Sequence, residues 1–111
     1  MQIAYDLQES QLSVELTGEI DHHHASGIRA EVDTAIYAHM PRILILDFQN
    51  VTFMDSSGIG LIMGRYKILQ PLGGEIILRN PPPHIARVLR LAGMERLARI
   101  QTHSPEEVAE L

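Results

Sequence analysis

Val51-Thr52-Phe53-Met54-Asp55-Ser56-Ser57-Gly58-Ile59-Gly60-Leu61-Ile62-Met63-Gly64-Arg65-Tyr66 reads as the junction of a strand and a helix, and the chain can be followed outward from it. Just upstream, Ile43-Leu44-Ile45-Leu46 is an unbroken apolar run bounded by Pro41 and Asp47. Such a run, rich in β-branched residues, has the pattern of a strand covered on both faces. Asp55-Ser56-Ser57 reads as a helix start, because Asp and Ser side chains accept from the orphan N–H groups of a first turn. The helix is predicted over 57–70. Ile59, Ile62, Met63, Tyr66 and Leu69 form one apolar stripe on it, expected to face a sheet.

The opposite side of that helix carries Gly60, Leu61, Gly64 and Ile68, flanked by Arg65 and Lys67. A glycine inside a helix costs about 1 kcal/mol relative to alanine, so Gly58, Gly60 and Gly64 together cost roughly 2–3 kcal/mol. Two readings explain their presence. A smooth face with exposed Leu61 and Ile68 suits close approach by a partner protein. Alternatively, the glycines let another helix of the same domain pack closely.

Ser56 also admits several readings. As an N-cap it needs no further role. As a nucleophile it lacks a G-x-S-x-G setting and an evident base. As a phosphate acceptor it is well placed, since free N–H groups and the helix dipole favour an anion there. A phosphate would add about −1.5 to −2 charge beside Asp55. A partner surface fitted to a small hydroxyl would then meet a bulky dianion.

The block M-D-S-S-G-I-G-L-I-M-G-R-Y-K resembles the signature of the anti-sigma factor antagonists, the STAS-domain family, and within it the sporulation branch of endospore-forming bacteria. L-T-G-E-I-D-H-H-H-A at 16–25, G-G-E-I at 73–76 and L-A-G-M at 91–94 extend the match in order along the chain. The resemblance implies that Ser56, directly after the aspartate, is the phosphorylated serine, and that Ser57 is its unmodified neighbour. It also implies that Asp21 lies near Ser56 in space and helps shape the site a kinase reads. Asp21, Asp55, Ser57, Gly58, Gly60, Leu61, Gly64 and Ile68 are the expected partner-binding residues.

Composition bounds the alternatives. With 111 residues the chain has enough material for one core and too little for two. It contains no cysteine, which excludes disulfides and thiolate metal sites. No apolar run approaches the ~20 residues needed to span a bilayer, and the first residues lack the basic-then-apolar pattern of a secretory signal. A cytoplasmic protein without membrane contact is therefore expected. A net charge of −5 and a pI of about 5.6 argue against a nucleic-acid groove. There is no tryptophan and there are only 2 phenylalanines, so little is available to stack on bases.

Along the chain, Ile3-x-Tyr5-x-Leu7 and Leu12-x-Val14-x-Leu16 alternate as half-buried strands, close enough for an antiparallel hairpin. Thr17-Gly18-Glu19 is expected to end the second. Asp21 is a candidate N-cap for a helix reaching about 39, with Ala25, Ile28, Val32, Ala35 and Ile36 on its inner stripe. His22, His23 and His24 invite a metal reading, but consecutive helical residues point about 100° apart and cannot converge on one ion. A strand over 43–48, the 57–70 helix and a strand over 75–79 imply a parallel crossover. Pro83 suits the first turn of the next helix, with Ile85, Val88, Leu89 and Ala92 inward and Gly93 closing it. An edge strand over 98–101 and a short helix from Ser104 complete the prediction. Gly58-x-Gly60-x-x-x-Gly64 misses a dinucleotide fingerprint by one residue, and no Walker lysine is present.

These elements predict an α/β fold in one domain over 1–111: a small mixed sheet of about five strands with helices mainly on one face, as the STAS resemblance also implies. The resemblance further implies a regulatory protein rather than an enzyme. Its unphosphorylated form would bind an anti-sigma factor and release a sporulation sigma factor. That anti-sigma factor would be an ATP-dependent kinase for Ser56, and a serine phosphatase would reset the switch. No cofactor or metal is expected. The alternatives are a STAS regulator in a stress-response cascade, or a small serine hydrolase or nucleotide-hydrolysing domain built on Ser56 and a nearby histidine.

Overall fold

The computed structural model describes residues 1–102. β1 (Gln2–Asp6) and β2 (Gln11–Ile20) form the antiparallel hairpin, followed by α1 (His22–His39), β3 (Ile43–Met54) and α2 (Ser56–Leu69). β4 (Glu75–Arg79), α3 (Pro83–Leu91) and the short β5 (Arg99–Gln101) follow among the described residues. The sheet order is β1-β2-β3-β4-β5, with every pair after the hairpin parallel. The expected mixed sheet of five strands is therefore present. The helix expected from Ser104 lies outside the described residues.

Register places one apolar row across the sheet. Tyr5 pairs with Leu12, Leu12 with Leu44 and Leu44 with Ile76; one step on, Val14 pairs with Leu46 and Leu46 with Leu78. Because side chains alternate across a strand, these residues share one face. Val32 and Ile36 of α1, Ile62 and Leu69 of α2, and Ile85 and Leu89 of α3 join them in one cluster, so all three helices cover that face. Ile45 and Ile77, on the opposite face, are also buried, in keeping with the reading of β3 as a strand covered on both sides.

Two expectations about the strands are corrected. β2 does not stop at Thr17-Gly18-Glu19; it continues to Ile20, and β3 continues to Met54 rather than Phe48. The pairing slips between Glu15 and Thr17 and again between Gly18 and Glu19, with Gly18 at φ +81. Glycine here absorbs an irregularity within the strand instead of ending it. The extension pairs Ile20 with Met54 and carries both strands to one end of the sheet together.

The inner face of α2 is also corrected. Gly58, Leu61, Ile62, Arg65 and Leu69 are buried. Met63, expected to face the sheet, is 41% exposed, while Ile59 and Tyr66 are half-buried. At 100° per residue the buried arc is centred about 80° from the expected one. The cause is steric and electrostatic. A Cβ on Gly58 would overlap Cγ and Sδ of the buried Met54, so only this glycine edge fits against the end of β3. The arc also faces α1, where Arg65 finds partners that allow its burial.

Candidate functional site

Two helix starts meet at the end of the β2 and β3 extension. Asp55 donates its backbone N–H to the Ile20 carbonyl at 3.2 Å, which locks the start of α2 beside the start of α1. Both starts are capped by aspartate. Asp21 Oδ1 accepts from His24 N–H at 3.0 Å and lies 2.7 Å from His24 Nδ1. Asp55 Oδ1 accepts from Ser57 N–H at 2.8 Å. Asp55 is thus the cap, and Ser56 is the first helical residue, exposed to solvent. An acceptor hydroxyl at this point is reachable by another protein, and an anion on it would meet the positive end of the helix dipole.

Desolvation tends to raise the Asp21 pKa. The hydrogen bonds and charge of His24 outweigh it, and Asp21 sits below its ordinary value of 3.8. His22, His23 and His24 do not converge on one point, as the helical spacing requires. His24 turns to Asp21, while His22 and His23 meet edge to face at 5.9 Å. A metal-type juxtaposition does occur, but it joins only His24 of the triple to two carboxylates outside it. Glu19, Asp21 and His24 bring one ligand atom each within 4.8 Å of one another. Glu19 enters through the β2 extension, which sequence reading had cut short. Asp21 Oδ1 in this group already holds two contacts from His24.

Between α1 and α2 runs an open groove of ≈ 350 Å³. His22, Ser26 and Arg29 line it from α1, and Ser57, Gly60 and Gly64 from α2. A Cβ at Gly60 or Gly64 would meet nothing within 4 Å, so packing inside the chain does not require glycine at either. Gly58 is different, since it packs against Met54 and is buried. The two glycine readings therefore divide between positions: internal packing for Gly58, open surface for Gly60 and Gly64. Leu61 and Ile68 are corrected. Their expected exposure does not hold: Leu61 is only 9% exposed, and Ile68 is half-buried against the core. Among the described residues Met63 on α2 and Phe53 in the β3 extension are exposed apolar side chains, neither of them an expected site residue.

Arg65 is 6% exposed. Its Nε lies 2.8 Å from Asp33 Oδ1, an ion pair without hydrogen-bond alignment. Nη2 donates to Asp33 Oδ2 at 3.4 Å, and Nη1 to the Leu61 carbonyl at 3.2 Å. Burial lowers the Arg65 pKa; the Asp33 charge opposes this and the nearby Arg29 charge adds to it.

The STAS domain family matches residues 2–107. An anti-sigma F factor antagonist of Paenibacillus polymyxa is 34% identical over 111 residues, covering 100% of this chain and 95% of that relative. The solved structure of the anti-sigma factor antagonist SpoIIAA in its unphosphorylated form superposes with a TM-score of 0.79 at 33% identity, covering 98% of this chain and 92% of the other. The Bacillus cell fate determinant SpoIIAA in its phosphorylated form superposes with a TM-score of 0.71 at 33% identity, covering 98% and 96%.

Proposed function

The chain belongs to the STAS-domain family, and from that premise we propose that it is an anti-sigma factor antagonist switched by phosphorylation of Ser56. The observation that carries this reading is the exposed Ser56 hydroxyl at the first position of α2, with the cap role already filled by Asp55. A serine that is not needed to cap its helix, yet sits at the helix's positive end, can take a phosphate without losing a structural contact. The unphosphorylated chain binds an anti-sigma factor across this end of the sheet and the α1–α2 groove, releasing a sporulation sigma factor. The anti-sigma factor is itself an ATP-dependent serine kinase; it phosphorylates Ser56, and the added dianion ends the complex. A serine phosphatase restores the binding form. Asp21 and Asp55 hold the two helix starts in the geometry that kinase and partner both read. All of this takes place in the cytoplasm. The sporulation assignment draws on the name of the Paenibacillus relative.

The test is phosphopeptide mapping after incubation with purified anti-sigma F factor and ATP, paired with titration of variants. One phosphate on Ser56 is expected. Ser56→Ala should bind and never switch. Ser56→Asp should fold and bind weaker by about 2 kcal/mol, roughly thirtyfold. Wild-type affinity in Ser56→Asp would remove the electrostatic half of the account. Tighter binding to an anti-sigma-B factor than to an anti-sigma F factor would move the protein to a stress-response cascade.

A further inference from the structure

We propose that the α1–α2 groove receives an acidic segment of the anti-sigma partner, with Arg29 as its charge partner, so that partner choice is set on α1 as well as at the switch serine. This inference rests on the functional reading above and adds a residue and a chemistry to it.

Three observations lead there. The first is charge. Two guanidinium groups, Arg29 and Arg65, border the groove. Asp33 is committed to Arg65 at 2.8 Å, and among the described residues Arg29 has no ion-pair partner. The groove thus carries one uncompensated cation in a chain of net charge −5. Arg29 is close enough for its charge to act on the buried Arg65, so both cations face the same cleft.

The second observation is shape. Gly60 and Gly64 leave open space where side chains would stand, although alanine would fit at both and is the better helix former. They line an open cleft of ≈ 350 Å³. The third is continuity. Ser57 and His22 line the same groove, and they stand next to Ser56 and Asp21, so an occupant of the groove extends the proposed switch interface without a break.

The arrangement also bears on how the switch works. A phosphate on Ser56 places negative charge at the mouth of a groove that an acidic segment must enter. The dianion then repels the occupant itself, in addition to clashing with whatever covers the serine.

The experiment titrates purified anti-sigma F factor against wild type, Arg29→Gln, Arg29→Glu, Arg87→Glu and Ser56→Asp at one ionic strength, with circular dichroism to verify folding. Arg29 is exposed and Arg87 lies on α3, away from the groove, so Arg87→Glu makes the same charge change elsewhere. The expected result is a loss of affinity of at least tenfold for Arg29→Glu, a smaller loss for Arg29→Gln, and less than twofold for Arg87→Glu. Equal losses for Arg29→Glu and Arg87→Glu would reduce the effect to net charge and overturn the inference. Unchanged affinity in Arg29→Glu, with Ser56→Asp still weakened, would overturn it and leave the switch intact. Failure of wild type to bind would overturn the inference and the functional reading together.

Discussion

Two aspartates with the same local task serve different neighbourhoods. Asp55 caps α2 through Ser57 N–H, and that frees Ser56 to face solvent with no capping duty. Asp21 caps α1 and also holds His24 Nδ1, so its carboxylate is stabilised in the charged form and its pKa is lowered. The sign of the linkage follows. A carboxylate with a depressed folded-state pKa contributes stability that is fully present above its ordinary value of 3.8 and is lost as pH falls through the lower, folded value. Asparagine also caps helices, so Asp21→Asn should keep α1 while removing this titration. Urea midpoints from pH 6 down to pH 3 check it: wild type should lose more stability over the acid end than Asp21→Asn. Parallel curves would mean that the His24 contact does not persist in solution. Asp21→Ala, which loses the cap altogether, should lower the urea midpoint at neutral pH, where Asp21→Asn does not. The Asp21 cap was legible in the sequence; for α2 the sequence offered Ser56 as a cap as well, and the structure gives that role to Asp55, one residue earlier. The proximity of the two caps was implied by the family resemblance alone and not by the residue pattern, since it depends on the Asp55 N–H to Ile20 bond and on Gly18 keeping β2 in the sheet.

Within α2, the three glycines separate once their surroundings are known. Alanine at Gly58 must displace the buried Met54 side chain, whereas alanine at Gly60 or Gly64 enters empty space. Gly58→Ala should therefore destabilise the fold by about 1–3 kcal/mol, the usual range for overpacking. Gly60→Ala and Gly64→Ala should each stabilise it by about 1 kcal/mol or somewhat less, from helix propensity alone. Chemical denaturation of the three single variants measures this directly, and a loss in either of the last two would return that glycine to internal packing. If the stabilised variants also bind the anti-sigma factor less well, the glycines are retained for the groove. The sequence showed that a glycine-bearing helix was present and where it began. It misplaced the inner face, because apolar periodicity weighs Met63 and Ile59 and gives no weight to glycine. It also treats Arg65 as an outward residue. In the structure a glycine edge and a paired arginine turn inward, and Met63 turns out.

At the scale of the molecule, strand order follows chain order from β1 to β5, so successive crossovers lay α1 and α2 side by side over the same face. Parallel strands then deliver both helix starts to the carboxyl end of the sheet. Apolar runs identified the strands, but nothing in a run says which strand lies beside which, and the order could not be read from them. The contact that ties the two helices is equally silent in the sequence: Asp33 and Arg65 lie 32 residues apart. It makes an asymmetric prediction. Asp33→Asn strands a guanidinium that is 6% exposed, and removing one partner of a buried pair is costly. Because the Asp33 side chain keeps 27% of its surface, the loss should fall below the full buried-pair figure, at about 2 kcal/mol. Arg65→Met removes the charge, fills much the same volume and leaves Asp33 able to reach water, so it should cost under about 1 kcal/mol. The double variant should then be no less stable than Asp33→Asn alone. Denaturation of all three decides whether the pair acts as a unit: equal and additive losses would show two independent side chains. A stable Arg65→Met that nonetheless binds the anti-sigma factor poorly would move Arg65 from holding the helices together to meeting the partner.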